Sequence, residues 1–485
     1  MSGQNRREFL CKSAAGLGFA HSLHVPAHAT EDPADQWSGR RYRTESDIQI
    51  DTIPNFCSHE HWGSIASIGR TREGFSADLK PGAVPMRQTT LWDILFEPYL
   101  SWWLSSTGYD AGERARKLGA GDFNALWNMD HELAFQEIRI PLNRLALTGT
   151  FQCTRKGIQI VHGVDIGSMA LPDWIEANGK IARSYGEGGI FQGYREAMES
   201  AGLSELIRPV APEFYFHDFK DVPARTESGF TRTVLRIDPL LNFWRPHSEQ
   251  RERLGNLTGI EPKDATSWRR FLSVLFDRAG ERSAVGIKQL QAYSRNLDFP
   301  APEDHSVKWR GELGAGEIET FQNWVVNECC ALAHERDWPF QIHTGTHNLA
   351  QSSPMPLENL ANRYANVKVV LLHCWPFIEE AGWLAKHVHN IYLDTCWQIV
   401  LNPVFFERAI SCWLNYVPLH KIMCAHDATT VEMAAGSSFY TRRMLSGLLS
   451  EQGNRYEPAT GTLEQIARNL LHNNATEVYG YGETV

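Results

Sequence analysis

His59 and His61 stand in Cys57-Ser58-His59-Glu60-His61-Trp62, an H-x-H triplet. Strand side chains alternate with a period of two, so both imidazoles would point to one face and could share a metal ion. Four further groups of ligand type follow, each closing a mainly apolar run. Residues 283–287 run into Lys288, 338–342 into His343, 367–372 into His373, and 421–425 into His426-Asp427. Imidazole and carboxylate donors suit Zn first, with Mn, Fe or Ni as alternatives. Each residue also has a plainer reading: a polar histidine pair in a turn, a substrate-binding lysine cation, a helix cap at Asp427.

Those runs must be strands for the chemistry to assemble. Residues 48–56 read as the first strand, delivering His59 and His61; 157–161 as a candidate second and 231–237 as a third. Residues 207–216 form a strand-like excursion with no assigned place. The fourth, fifth and sixth strands end at Lys288, His343 and His373, the seventh is 391–394 and the eighth 422–425. Helical patterns over 317–336, 356–364, 377–387 and 403–417 separate the later strands. Strand and helix alternating to a total of eight strands predicts an α/β, TIM-like (β/α)8 barrel with helical insertions. Such barrels gather catalytic residues at the C-terminal strand ends, where every candidate ligand falls. From 64 to 150 the pattern is helical, with aromatics at Trp92, Phe96, Tyr99, Trp102 and Trp103 that suit core packing or a cap over a site. Trp62, Tyr293, Arg295, His347, Trp375 and Trp397 lie near strand ends and could contact substrate. Arg295 suits a substrate carboxylate through a bidentate fork, or equally an ion pair between helices.

At 485 residues, 42% hydrophobic and 21% charged, the chain has ample core for one large catalytic domain over 48–485. Its formal net charge of -10 argues against a nucleic-acid partner, which calls for a concentrated basic surface. No apolar run reaches the roughly 18 residues of a membrane helix, so the mature form is expected to have no membrane partner. The 9 cysteines fall largely in apolar or helical runs and read as buried free thiols rather than disulfides.

Asn5-Arg6-Arg7-Glu8-Phe9-Leu10-Cys11-Lys12 resembles a twin-arginine export signal, and Ala27-His28-Ala29 gives an A-x-A cleavage pattern. This implies a signal peptide over 1–29, a flexible lead-in over 30–47, the export machinery as a partner, and a periplasmic or secreted protein.

Taken in order, His59, His61, Lys288, His343, His373 and Asp427 resemble the amidohydrolase superfamily. Residues 288–297, 341–345 and 371–377 resemble its amidohydrolase-related branch. The resemblance implies one or two divalent ions per chain, with His59, His61 and Asp427 holding the first, and His343 and His373 the second. It also implies a carboxylated Lys288 bridging both, since a free ammonium has only donors and would repel cations. The implied reaction is hydrolysis of an amide, lactone or ester in a small, carboxylate-bearing compound by metal-activated hydroxide, with Asp427 as proton shuttle. Arg295, Tyr293, Trp62 and His347 would bind substrate. A uronate-isomerase-like isomerase and a non-oxidative decarboxylase share the scaffold, and a non-catalytic binding protein is the reading from another class. Many relatives carry a small or hydroxyl residue where this chain has His426. The substrate and a homo-oligomeric state are left open.

Overall fold

The computed structural model describes residues 49–61, 91–110, 131–168, 170–186, 189–216 and 231–481. The expected signal peptide, the lead-in and Trp62 lie outside the described residues.

Eight strands form one parallel sheet in chain order: β1 Asn55–Cys57, β2 Leu203–Val210, β3 Thr231–Arg236, β4 Ala284–Gln289, β5 Phe340–His343, β6 Val369–Leu372, β7 Ile391–Asp394 and β8 Ile422–Met423. Strands β5 and β6 are buried at every position, as expected where helices cover the outside and side chains fill the interior. The covering helices include Ala265–Glu281, Ala315–His334, Leu357–Arg363, Ile378–His387, Pro403–Trp413 and Val431–Tyr456. The sheet curls until its outer strands meet at the C-terminal rim. There the Asp427 N–H donates to His59 O (3.0 Å) and the His61 N–H to Ala428 O (2.9 Å). Below the rim β1 and β8 are short, and the last turns of the chain fill the seam. Leu470 O accepts from Cys424 N–H (3.1 Å), and Asn474 Nδ2 donates to Leu419 O (2.8 Å) and Ile422 O (2.7 Å). The result is the TIM-like barrel expected from the alternation of elements.

Two strand assignments change. The first strand is only three residues long, because Pro54 lacks the N–H a ladder needs and Ile50–Thr52 form a 3-10 turn before it. Residues 157–161 are not the second strand but the end of the helix Gly149–His162. Thr148 caps this helix, its side chain accepting from Phe151 N, and Gly163 ends it in the left-handed conformation (φ 67°). Glycine at 157 and 436 brings this helix against Val431–Tyr456. A Cβ at Gly157 would lie 1.6 Å from Glu432 O, and one at Gly436 would lie 1.8 Å from Cys153 O. The second strand is instead Leu203–Val210, which contains the start of the unplaced excursion; Pro212–Phe216 is 3-10 helix.

Among the described residues eight cysteines are free, seven of them buried. No helix there is long and apolar enough to cross a membrane.

Candidate metal centre

Parallel register places the candidate ligands side by side. Arg236 pairs with Lys288 across β3 and β4, Lys288 with Gln341 across β4 and β5, and His343, Leu372, Asp394 and Met423 follow one another across β5 to β8. His59, Lys288, His343, His373 and Asp427 are all buried, while His61 is partly exposed. Backbone strain concentrates at the same rim. His373 (φ 69°), Cys374 (60°), Trp397 (67°) and Asp427 (57°) all occupy the left-handed region. For a non-glycine residue that conformation costs roughly 1–2 kcal/mol. Such strain persists only where surrounding structure imposes it, and it clusters at functional sites.

Hydrogen-bond partners decide which nitrogen each histidine offers. His59 Nδ1–H donates to Gln341 Oε1 (2.8 Å), which leaves its Nε2 lone pair facing inward. Gln341 is itself fixed, its Nε2 donating to Ser58 O (2.8 Å) and Tyr479 Oη (2.7 Å). His373 Nδ1–H donates to Cys396 O (2.9 Å). His343 Nε2–H donates to Thr346 Oγ1 (2.8 Å), whose hydroxyl is turned to Gly345 O (2.8 Å). Two unprotonated nitrogens, His373 Nε2 and His343 Nδ1, therefore face each other at 2.9 Å. Likewise His59 Nε2 lies 3.3 Å from His61 Nε2 and 3.9 Å from Asp427 Oδ1, while His61 Nε2 is 3.3 Å from the same oxygen. Lone pairs aimed at one another in a buried site are what a cation would reconcile. Burial reinforces this by holding the imidazoles neutral, pushing His59 and His343 well down and His373 to about 3. The donor set fits a divalent metal centre: oriented neutral imidazoles, a carboxylate and outer partners that fix the tautomers.

Asp427 lies between the two halves of this cluster. Its Oδ1 faces His59 and His61, and its Oδ2 is 3.7 Å from His373 Nδ1. Tyr99 Oη donates to Oδ1 at 2.9 Å. Burial raises the Asp427 carboxyl, with Lys288 opposing, and lowers the Lys288 amine. The Lys288 amine lies 3.5 Å from His59 Nε2. Among the described residues no carboxylate oxygen is within 4.0 Å of it.

The outer candidates divide. Tyr293 packs on His343 (4.6 Å between centroids) and His347 (4.3 Å). His347 in turn stacks on Trp102 (4.9 Å, 11°) and Trp397 (5.5 Å, 10°), and Tyr99 packs on Trp397 (4.9 Å). The helix Pro98–Ser106 thus lays Tyr99 and Trp102 over the strand ends as a cap. Trp375 packs instead on Phe405 (4.3 Å). Arg295 is not brought to the cluster. It donates to Asp298 O (2.7 Å) and Glu319 Oε1 (3.2 Å), tying its loop to the helix Ala315–His334. The guanidinium near the site is Arg236, whose charge is felt by His61, Lys288 and Tyr293 and whose Nε donates to Asp238 Oδ2 (3.2 Å). His426 turns its Nδ1 toward Glu60 Oε1 (3.3 Å), in a buried group with Cys57.

Gln341, Arg236, Tyr99 and Cys396 were not singled out by the sequence as site residues. Signals existed for two of them: Gln341 stands two before His343 on one strand face, and Arg236 ends β3 as Lys288 nearly ends β4. Tyr99 comes from an insertion helix that no strand pattern anchors.

Residues 277–481 match the family model described as Amidohydrolase. Protein fluG of Emericella nidulans is 28% identical over 148 residues, covering 26% of this chain and 17% of that protein, so only a small part of the relative's length is matched. Glucuronate isomerase of Caulobacter crescentus is similar in structure, with a TM-score of 0.68 at 15% identity over 95% of this chain and 97% of that one. A uronate isomerase of Thermotoga maritima gives 0.67 at 12% identity over 89% and 96%. At these identities the likeness is one of fold.

Proposed function

We propose that the chain is a metal-dependent hydrolase of the amidohydrolase superfamily, cleaving an amide, lactone or ester bond of a small carboxylate-bearing compound. The observation that carries it is Lys288. Among the described residues no carboxylate oxygen lies within 4.0 Å of this amine, and a buried ammonium beside the His59 nitrogen is costly. Carboxylation of the neutral amine turns the same side chain into an anionic oxygen donor. That favours two ions: His59, His61 and Asp427 would hold one and His343 and His373 the other, with the modified Lys288 as a further oxygen donor. When bound, such ions supply Lewis acidity and lower the pKa of water, Zn being the first choice.

The chain's own residues supply the rest. Asp427, raised by burial, is placed to take a proton from the attacking water and return it to the leaving nitrogen or oxygen. Tyr99 steadies that carboxylate by donating to Oδ1. Arg236 replaces Arg295 as the candidate partner for a substrate carboxylate. Tyr293, His347, Trp102 and Trp397 stack into an aromatic wall along one side, with Tyr293 and Trp102 half-exposed and so open to a substrate.

A second reading, a sugar-acid isomerase, is supported by the full-length likeness to uronate isomerases. A panel of N-acyl amino acids, lactones, esters and uronates, offered to Zn- and Mn-loaded protein, separates the two. The expected outcome is hydrolysis that falls roughly a hundred- to ten-thousand-fold in Asp427→Asn with metal still bound. Aldose–ketose interconversion without hydrolysis would establish the isomerase instead.

A further inference from the structure

Three buried thiols stand near the rim, and they face different ways. Cys57 donates to Glu60 Oε1 (2.8 Å) and Cys374 to Leu371 O (3.5 Å). Cys396 turns instead to the cluster itself, its thiol hydrogen-bonded to the Asp427 carboxylate. Its Sγ, a His373 nitrogen and an Asp427 oxygen all lie within 4.8 Å of one another, and the side chain is fully buried. Its backbone is tied to the same site from both sides. The Cys396 N–H donates to Asp394 Oδ1 (2.9 Å), and its carbonyl accepts from His373 Nδ1–H. Cys396 stands two residues beyond Asp394, the last residue of β7, in the turn that leads to Trp397 at the rim.

We propose that Cys396 is a further ligand of the metal centre, on the His373 side of Asp427, and that it biases the centre toward a thiophilic ion. The inference rests on the metal-centre reading above and extends it to this chain's own donor set. On binding, the thiol gives its proton to solvent and its sulfur lone pair to the ion, with no change in oxidation state. Thiolate is the softest donor available here, and it favours Zn, Co or Cd over Mn or Mg, which prefer oxygen. An all-nitrogen and oxygen site would lack that bias. Asp427 already spans both halves of the cluster, so a sulfur beside its carboxylate on the His373 side gives the two halves unequal donors.

Substitution of the full-length protein with Co(II) tests this through a readout independent of turnover. A thiolate on Co(II) produces a sulfur-to-metal charge-transfer band in the near ultraviolet, and nitrogen or oxygen ligands do not. The expected result is that band in the unaltered protein and its loss in Cys396→Ser and Cys396→Ala, with Co(II) still bound by the remaining donors. In competition titrations, Cys396→Ser should lose on the order of ten-fold or more of its Zn-over-Mn preference, the scale that altered ligand environments produce. Bound Co(II) without the band, or a band that survives in Cys396→Ser, would overturn the proposal. In the latter case Cys57→Ser and Cys374→Ser show which sulfur is responsible. Failure of the protein to bind Co(II) at all would overturn the metal-centre reading itself, and this inference with it. Far-ultraviolet circular dichroism establishes that each variant is folded. If the Cys396 variants are not, the spectrum of the unaltered protein against Cys57→Ser and Cys374→Ser still decides.

Discussion

Gln341 controls which face of His59 is available, because its amide is locked by Ser58 O and Tyr479 Oη before it accepts from Nδ1–H. Outer partners of this kind hold a ligand's tautomer and ring angle, and their loss typically weakens metal binding 10- to 100-fold. Gln341→Leu is therefore expected to weaken binding by about that factor in a chelator competition. Unchanged affinity would mean that His59 is not a ligand. At this scale the sequence was most informative about short side chains fixed by strand ends. Of His59, His61, His343, His373 and Asp427, only His343 lies within a strand: His59 and His61 follow β1, His373 follows β6 and Asp427 stands four residues past β8. The strand ends set where these residues fall, and the left-handed backbone at His373 and Asp427 helps set where they point. Arginine is harder to read: its long stem lets the head reach either way, and Arg295 reaches a helix while Arg236 lies near the site.

Elements were legible in proportion to how fully one structure dominates their surroundings. Strands β4 to β7 are short apolar runs between amphipathic helices, and their positions emerge within a few residues. By contrast, Ile158, Ile160 and Val161 suit a strand or a helix equally, and the choice is made by Thr148, Gly163 and packing against Val431–Tyr456. The real second strand, Leu203–Val210, carries Glu205, Arg208 and Pro209, which mask it. The glycine contact of the two long helices gives a prediction at this scale. Gly157→Ala and Gly436→Ala force a methyl into a backbone carbonyl and should each destabilise by about 1–3 kcal/mol or more in urea denaturation. Neutral behaviour of both would place the helices farther apart than the structure has them.

For the whole molecule, the closing strands and the candidate site are one arrangement. The hydrogen bonds that join the segments following β1 and β8 involve the backbone of His59, His61, Asp427 and Ala428, so the residues that close the rim are also candidate ligands. A parallel barrel brings the ends of β4, β5 and β6 to the same rim. This explains why candidate ligands spread from residue 59 to residue 427 converge, and why the fold could be anticipated from the same residues as the chemistry. The aromatic cluster at Trp92, Phe96, Tyr99, Trp102 and Trp103 suited core packing or a cap; that Tyr99 and Trp102 are the capping pair while Trp92 is core depends on how an insertion packs, which spacing does not encode. In the proposed function Lys288 completes a centre for two ions. The most direct test is metal content per chain for protein loaded with Zn in bicarbonate, beside Lys288→Ala treated identically. Two ions in the unaltered protein and one or fewer in the variant are predicted; a single ion in both, indifferent to the substitution, would rule out a two-ion centre that depends on Lys288.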